Sequence, residues 1–216
     1  KGKIAQRAYT DKIKQSLVSS MEAFYKLTGR RYGLISTYEM DDAEYAIVGM
    51  GSMIETAEAA VGYLRKEKNI KVGIVHVTSF RPFPGEKLTE ALKHVRSISV
   101  LERMDNPLAE SNPLTIEIKA ALTDYIQRDE SGNIKIPKIY SGSAGLGSRD
   151  VRPDDIIAVV ENMIKDDKKY FAIGIDHELG LPTRESTDIR PEGTFSMRGH
   201  SVGGYGSVTT NKVIAT

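Results

Sequence analysis

Five short apolar runs alternate with stretches of helical periodicity along this chain, and that alternation restricts the fold more than any single motif does. The runs are "EYAIVGM" (44–50), "KVGIVHV" (71–77), "SISVLE" (97–102), "IPKIYS" (136–141) and "KYFAIGI" (169–175). Between them, residues 53–66, 84–95, 112–127 and 153–165 repeat their apolar positions at helical spacing. Runs that are apolar without strict alternation suit strands buried on both faces, which in turn need a helix layer on each side. The expected fold is therefore α/β: a three-layer α/β/α sandwich with a mostly parallel, five-stranded sheet.

The ends of the chain read differently. From Asp11 to Thr28 the residues Ile13, Leu17, Met21, Ala23, Phe24 and Leu27 recur at helical spacing, and Gly29 offers a stop. Residues 31–40 read as an extended connector. After Ile175 the apolar periodicity fades, Pro182 and Pro191 appear, and a glycine-rich turn leads into a helix start. The organisation expected is a leading helix and connector (1–40), one core domain (41–175), and a linker running into the truncated start of another domain (176–216).

Composition removes several function classes. Thirty basic against 29 acidic residues leave a net charge of +1, so no global field draws this chain to nucleic acid or to an anionic membrane. There is no run of 18 apolar residues and no apolar secretory stretch at the start, which makes a cytoplasmic protein the simple expectation. Cysteine is absent, which excludes disulfides, iron–sulfur ligation and thiolate chemistry within these residues. His76, His94, His177 and His200 lack the spacing of a helical metal site, and no metal is expected.

Three glycine-bearing turns are candidates for binding. In "VGMGSMIE", Gly49 and Gly51 match the first two glycines of a dinucleotide turn, but the third position is Ile54 and the next strand ends without an acid. Gly49, Gly51 and Ser52 read best as a sharp strand-to-helix turn, with Ser52 and Glu55 forming a capping box, and remain a possible anion turn through the helix amides. "TSFRPFPGEKL" (78–88) places Arg81 and Phe83 at the carboxyl edge of the sheet, where open α/β folds hold ligands. Arg81 there either clamps a phosphate or carboxylate or pairs with an acid of a neighbouring domain, while Phe83 fills a gap. "YSGSAGLGSRDVRP" (140–153) lacks the lysine of a phosphate loop and reads as an ordered lead into a helix opened by Pro153, Asp154 and Asp155. The carboxylate pairs Asp41–Asp42, Asp154–Asp155 and Asp166–Asp167 read as solvated helix-end groups, and no catalytic residue is expected in this chain.

The order of these pieces is more specific than any one of them. The succession "DDAEYAIVGMGSMIETAEAAVGYLR", "KVGIVHVTSFRPFPGEKLTEAL", "SISVLERMDNP" and "YSGSAGLGSRDVRPDDIIAVVENM" resembles core domain II of the 2-oxoacid:ferredoxin (pyruvate:ferredoxin) oxidoreductases, itself similar to the C-terminal domain of transketolases. "FSMRGHSVGGYGSVTTNKVIA" (195–215) resembles the start of that family's gamma-type domain, with Gly204, Tyr205, Gly206, Asn211 and Lys212 on its glycine and Asn-Lys positions. The resemblance implies coenzyme A-dependent oxidative decarboxylation of pyruvate or a related 2-oxoacid, with electrons passed to ferredoxin. It also implies thiamine diphosphate and iron–sulfur clusters in other domains, no cofactor in this chain, and a dimeric complete enzyme. Within that reading Arg81 and Phe83 face a neighbouring domain or ligand, and Gly204–Gly206 with Asn211 and Lys212 form a turn near coenzyme A. A stand-alone nucleotide- or anion-binding module and a ligand-free interdomain scaffold are the alternatives.

Overall fold

The computed structural model of the protein describes residues 1–128, 136–182, 188–190 and 193–195. Two helices open the chain, α1 (Gly2–Thr10) and α2 (Ile13–Thr28), where the sequence suggests one. Gly29, in the left-handed region at φ 72°, ends α2 as its position predicts. A short strand, β1 (Ile35–Tyr38), follows inside what reads as a connector. It was invisible to periodicity because an edge strand of four residues needs only one neighbour and leaves Ser36 and Thr37 exposed.

Five strands then alternate with four helices: β2 (Tyr45–Gly49), α3 (Met53–Lys68), β3 (Val72–Val77), α4 (Gly85–Leu92), β4 (Ser97–Glu102), α5 (Pro113–Arg128), β5 (Lys138–Ser143), α6 (Pro153–Lys165) and β6 (Tyr170–Ala172). All five anticipated strands form, within two residues at their starts and up to three at their ends. The sheet order is β1-β3-β2-β4-β5-β6. β1 runs antiparallel to β3, with Ile35 opposite Val77, and the remaining pairings are parallel. The sheet thus has six strands rather than five, the extra one capping an exposed edge.

Two apolar cores cover the sheet. On one face α3 and α6 pack together over Ile47, Ile54, Val61, Ile74, Leu101 and Phe171. On the other, α4 and α5 close over Val48, Val75, Leu88, Val100 and Ile118. Neighbouring residues of one strand serve opposite cores, as Ile47 and Val48 do, which is why the strands carry apolar runs instead of alternation. Every residue of β4 is buried.

One local expectation fails. Ser52 makes no side-chain cap bond to α3, because its backbone is already helical (φ −63°, ψ −22°) and its carbonyl accepts the Glu55 amide at 3.2 Å. The chain turns one residue earlier, at Gly51 (φ +75°), so the hydroxyl sits past the capping position. Ser52→Ala is therefore expected to change unfolding free energy by less than about 0.5 kcal/mol, where a true cap costs about 1. Phe171→Ala, which empties a fully buried site, is expected to cost about 3–5 kcal/mol in the same denaturant titration.

Candidate functional site

β2 leads through α3 to β3 on one side of the sheet, while β4 leads through α5 to β5 on the other, so the chain diverges at the carboxyl ends of β2 and β4. Such a divergence is where open α/β sheets form their ligand crevices. On the β2 side the strand end packs tightly against α3. Ile54 is fully buried, and a Cβ added to Gly49 would lie 2.8 Å from its Cδ1 and 3.1 Å from the Leu101 carbonyl oxygen. Ile54 thus fills the close strand–helix approach that the third glycine of a dinucleotide turn serves, while a Cβ added to Gly51, the second glycine, would meet nothing within 4 Å.

On the β4 side the helix terminus is occupied by the protein's own carboxyl. Glu102, the last residue of β4, accepts the Leu114 amide at 2.6 Å through Oε1 and the Thr115 amide at 3.1 Å through Oε2, and Thr115 Oγ1 donates to Oε2 at 2.9 Å. Orphan amides of the first turn of α5 and an anion at the positive end of its dipole are thus matched inside the fold. The network continues outward. Thr115 Oγ1 meets Ser141 Oγ at 3.2 Å. Asn112 Nδ2 donates to Ser143 Oγ and to the Met104 carbonyl, both at 3.2 Å, while its Oδ1 accepts the Asn106 amide at 3.0 Å. Ser143 Oγ lies 2.9 Å from the Tyr170 hydroxyl, which donates to Asp105. Sequence reasoning missed this cluster; its signal is an acid closing a strand otherwise of apolar residues and serines, followed nine residues later by "SNPLT".

The β3–α4 loop carries Arg81 and Phe83. Arg81 Nη2 pairs with Glu117 of α5 at 2.5 Å, Nη1 donates to the Phe80 carbonyl at 2.8 Å, and the guanidinium lies 4.3 Å from the Phe80 ring centroid. The acid that Arg81 meets belongs to its own domain, and more than half of the side chain remains exposed. Phe83 is half-buried, edge-on to Phe80 at 6.3 Å, and packs on the α4–α5 core. Gly49, Gly51 and Ser52 lie at the β2 end of the same edge. Gly204, Tyr205, Gly206, Asn211 and Lys212 lie outside the described residues.

A separate cavity of about 810 Å³ opens at the start of α6, lined by residues that include Arg149, Arg152, Asp155, Asp176 and His177. Asp154 and Asp155 are buried there, which corrects their reading as solvated caps. Asp155 Oδ2 accepts the Arg152 amide at 2.8 Å, and Oδ1 is buried without a hydrogen-bond partner among the described residues. Burial, against the pull of that amide, holds the Asp155 carboxyl above its ordinary range. The Asp166 pair is also engaged: Asp166 accepts from Lys138 and from Tyr140, whose hydroxyl is pushed up to about 12 by burial and by that carboxylate. Among the described residues no three His, Asp or Glu side chains gather to hold a metal ion.

Residues 43–156, from just before β2 to the start of α6, match the family model described as pyruvate:ferredoxin oxidoreductase core domain II. The chain belongs to the pyruvate:ferredoxin oxidoreductase family. It is 35% identical over 197 residues to the pyruvate:ferredoxin oxidoreductase of Moorella thermoacetica, covering 89% of this chain and 16% of that protein. It is 34% identical over 180 residues to a pyruvate-flavodoxin oxidoreductase of Nostoc sp., covering 82% and 42%. It is 33% identical over 168 residues to pyruvate synthase subunit PorA of Thermotoga maritima, covering 76% and 40%. The chain thus spans between about a sixth and two fifths of the length of these relatives. The part of the chain that carries the family match builds β2 to β5, the Gly49 turn, the Arg81 loop and the Glu102–Thr115–Asn112 network.

Two outcomes test this edge. Glu102→Ala leaves the Leu114 amide and the Thr115 amide and hydroxyl without their buried acceptor and is expected to cost about 3 kcal/mol in unfolding free energy, whereas Arg81→Ala, which removes a largely exposed pair, is expected to cost less than about 1. Asp155 supplies a pH test. Because its carboxyl binds a proton more tightly folded than unfolded, its contribution favours folding below its ordinary value near 4 and is lost as pH rises through the folded value. Asp155→Asn keeps an oxygen for the Arg152 amide, so it should raise the thermal midpoint at pH 7, with the gain shrinking towards pH 4.

Proposed function

We propose that this chain is the non-catalytic core domain II of an oxidoreductase that oxidatively decarboxylates pyruvate or a related 2-oxoacid, with coenzyme A as acyl acceptor and ferredoxin as electron acceptor. The observation that carries the reading is the coincidence of the family match, residues 43–156, with the four central strands β2 to β5 and their carboxyl edge. The polar groups of that edge are committed to holding loops. Glu102, Asn112 and Thr115 serve α5, and Arg81 braces its loop against Glu117. The domain's part in the reaction is then to present a rigid surface to the catalytic domains, with the Arg81–Phe83 loop as its contact.

The iron–sulfur clusters of such an enzyme need cysteine thiolates, and these 216 residues contain none. The clusters therefore belong to other domains, and thiamine diphosphate and coenzyme A are assigned there with them. Residues 176–216 are assigned as a linker and the start of a gamma-type domain, in which Gly204, Tyr205, Gly206, Asn211 and Lys212 approach coenzyme A. The complete enzyme is read as a cytoplasmic dimer; no helix among the described residues is long and apolar enough to cross a membrane.

The reading predicts that the isolated chain shows no pyruvate decarboxylation and no coenzyme A-dependent reduction of a ferredoxin or viologen dye, and that both activities appear when it is joined to the thiamine and cluster domains. Decarboxylation by this chain alone would overturn it. Calorimetric titration of the isolated chain with NAD should give no saturable heat, because Ile54 stands where a dinucleotide turn needs its third glycine and β3 ends without an acid for the ribose; micromolar binding, equivalent to about 8 kcal/mol, would instead identify a nucleotide module.

A further inference from the structure

α1 and α2 lie at one side of the domain and contribute nothing to either core: neither has a buried residue among those described. α2 is nevertheless amphipathic. One stripe, Leu17, Met21 and Tyr25, is half-buried, and Lys14 meets Glu86 at 3.5 Å. A second stripe runs beside it. Ile13, Leu17, Ser20, Phe24 and Leu27 follow one another at spacings of four, three, four and three, the repeat that keeps a seam facing a partner helix. Of these, Ile13, Phe24 and Leu27 are 50%, 41% and 85% exposed, and α1 adds Ile4 and Tyr9 at 74% and 76%. Five large apolar side chains left in water on two successive helices, Ile4, Tyr9, Ile13, Phe24 and Leu27, are the signature of a covered surface.

Charge indicates what covers it. Residues 1–31 carry eight Lys or Arg against two acids, Asp11 and Glu22, whereas residues 32–216 carry 22 basic and 27 acidic residues. The chain's near-neutral total thus conceals a basic arm on an acidic body. Among the described residues one ion pair, Lys14–Glu86, joins the arm to its own body, and the other lysines and arginines of the arm are exposed. An apolar seam flanked by cations fits an apolar seam flanked by carboxylates. The relatives also supply the space for such a partner, since more than four fifths of the Moorella protein lies outside the matched region.

We propose that α1 and α2 form a docking arm whose Ile13–Phe24–Leu27 seam packs on an acid-flanked helical face of another domain of the same oxidoreductase. This rests on the reading of the chain as one domain of a larger enzyme. The arm fixes where the domain sits, leaving the carboxyl-edge loops free to face the reaction centre.

The test is carbodiimide coupling of the complete oxidoreductase that contains this chain, which joins lysines directly to adjacent carboxylates, with the linked peptides mapped by mass spectrometry in a mixture of unlabelled and 15N-labelled protein. Lys3, Lys12 and Lys26 are expected to couple, within one copy, to Asp or Glu outside residues 1–216. The double change Phe24→Asp and Leu27→Asp should reduce those couplings at least tenfold, while the same change in the isolated chain, where both side chains are exposed, leaves its thermal midpoint within about 2 °C. Coupling only to residues 32–182, coupling only between copies, or no coupling at all would each overturn the proposal. So would binding of the isolated chain to phosphatidylserine vesicles that the double change abolishes, which would make the seam a membrane contact. If the enzyme turns over pyruvate while the couplings are absent, the docking arm fails and the assigned function stands; if it does not turn over pyruvate, the function itself fails.

Discussion

Glu102 is the point at which sequence, fold and edge chemistry meet. It ends a strand buried at every position, and its carboxyl takes two amides and a hydroxyl from the start of α5. A carboxylate is costly to bury unless donors converge on it, and a helix terminus is costly to bury unless its amides are matched. Each solves the other's problem. The consequence is structural: the direction in which α5 leaves the sheet is set by β4, and the α5–β5 crossover follows from it. Ser141, Ser143 and Asn112 extend the same logic across β5, so the carboxyl edge of the sheet is a polar lattice holding loops in place.

This lattice explains why a domain shaped like a ligand-binding sheet need not hold a ligand. Open α/β sheets bind anions at their carboxyl edge because helix amides there lack partners. Here the amides at the start of α5 have Glu102, and the close approach at Gly49 has Ile54. Arg81 is likewise held, by Glu117 and the Phe80 ring. What remains at the edge is a set of rigid loops, which suits a surface that must meet other domains reproducibly.

The architecture was legible because it rests on periodicity. "EYAIVGM" and "KVGIVHV" are apolar at successive positions because neighbouring residues serve opposite cores, so the two helix layers were implied before any contact was known. The features that escaped depend on partners distant in sequence. β1 exists through its pairing with β3, some forty residues on, and four residues of moderate polarity cannot announce that. Glu102 reads alone as an ordinary strand-end acid until Thr115 is folded beside it. The Ser52–Glu55 pattern misled in the opposite sense: the spacing of a capping box is present, but Gly51 makes the turn first. Asp155 shows the same limit, since "PDD" marks a helix start without revealing whether that start is wet or buried.

The basic arm and the polar edge divide the demands on such a domain. A surface that must stay registered against moving or reacting partners gains from having its attachment elsewhere, because adhesion and precise positioning place opposite demands on side chains. Adhesion wants exposed apolar area and mobile cations, as on Ile13, Phe24 and Leu27 among the lysines of α1 and α2. Precision wants groups already committed to fixed partners, as Glu102, Asn112 and Thr115 are. Placing the first on helices outside both cores and the second at the end of a fully buried strand keeps a change in one from distorting the other: a charge on the exposed seam disturbs no core contact, while loss of Glu102 loosens the loops and leaves the seam intact.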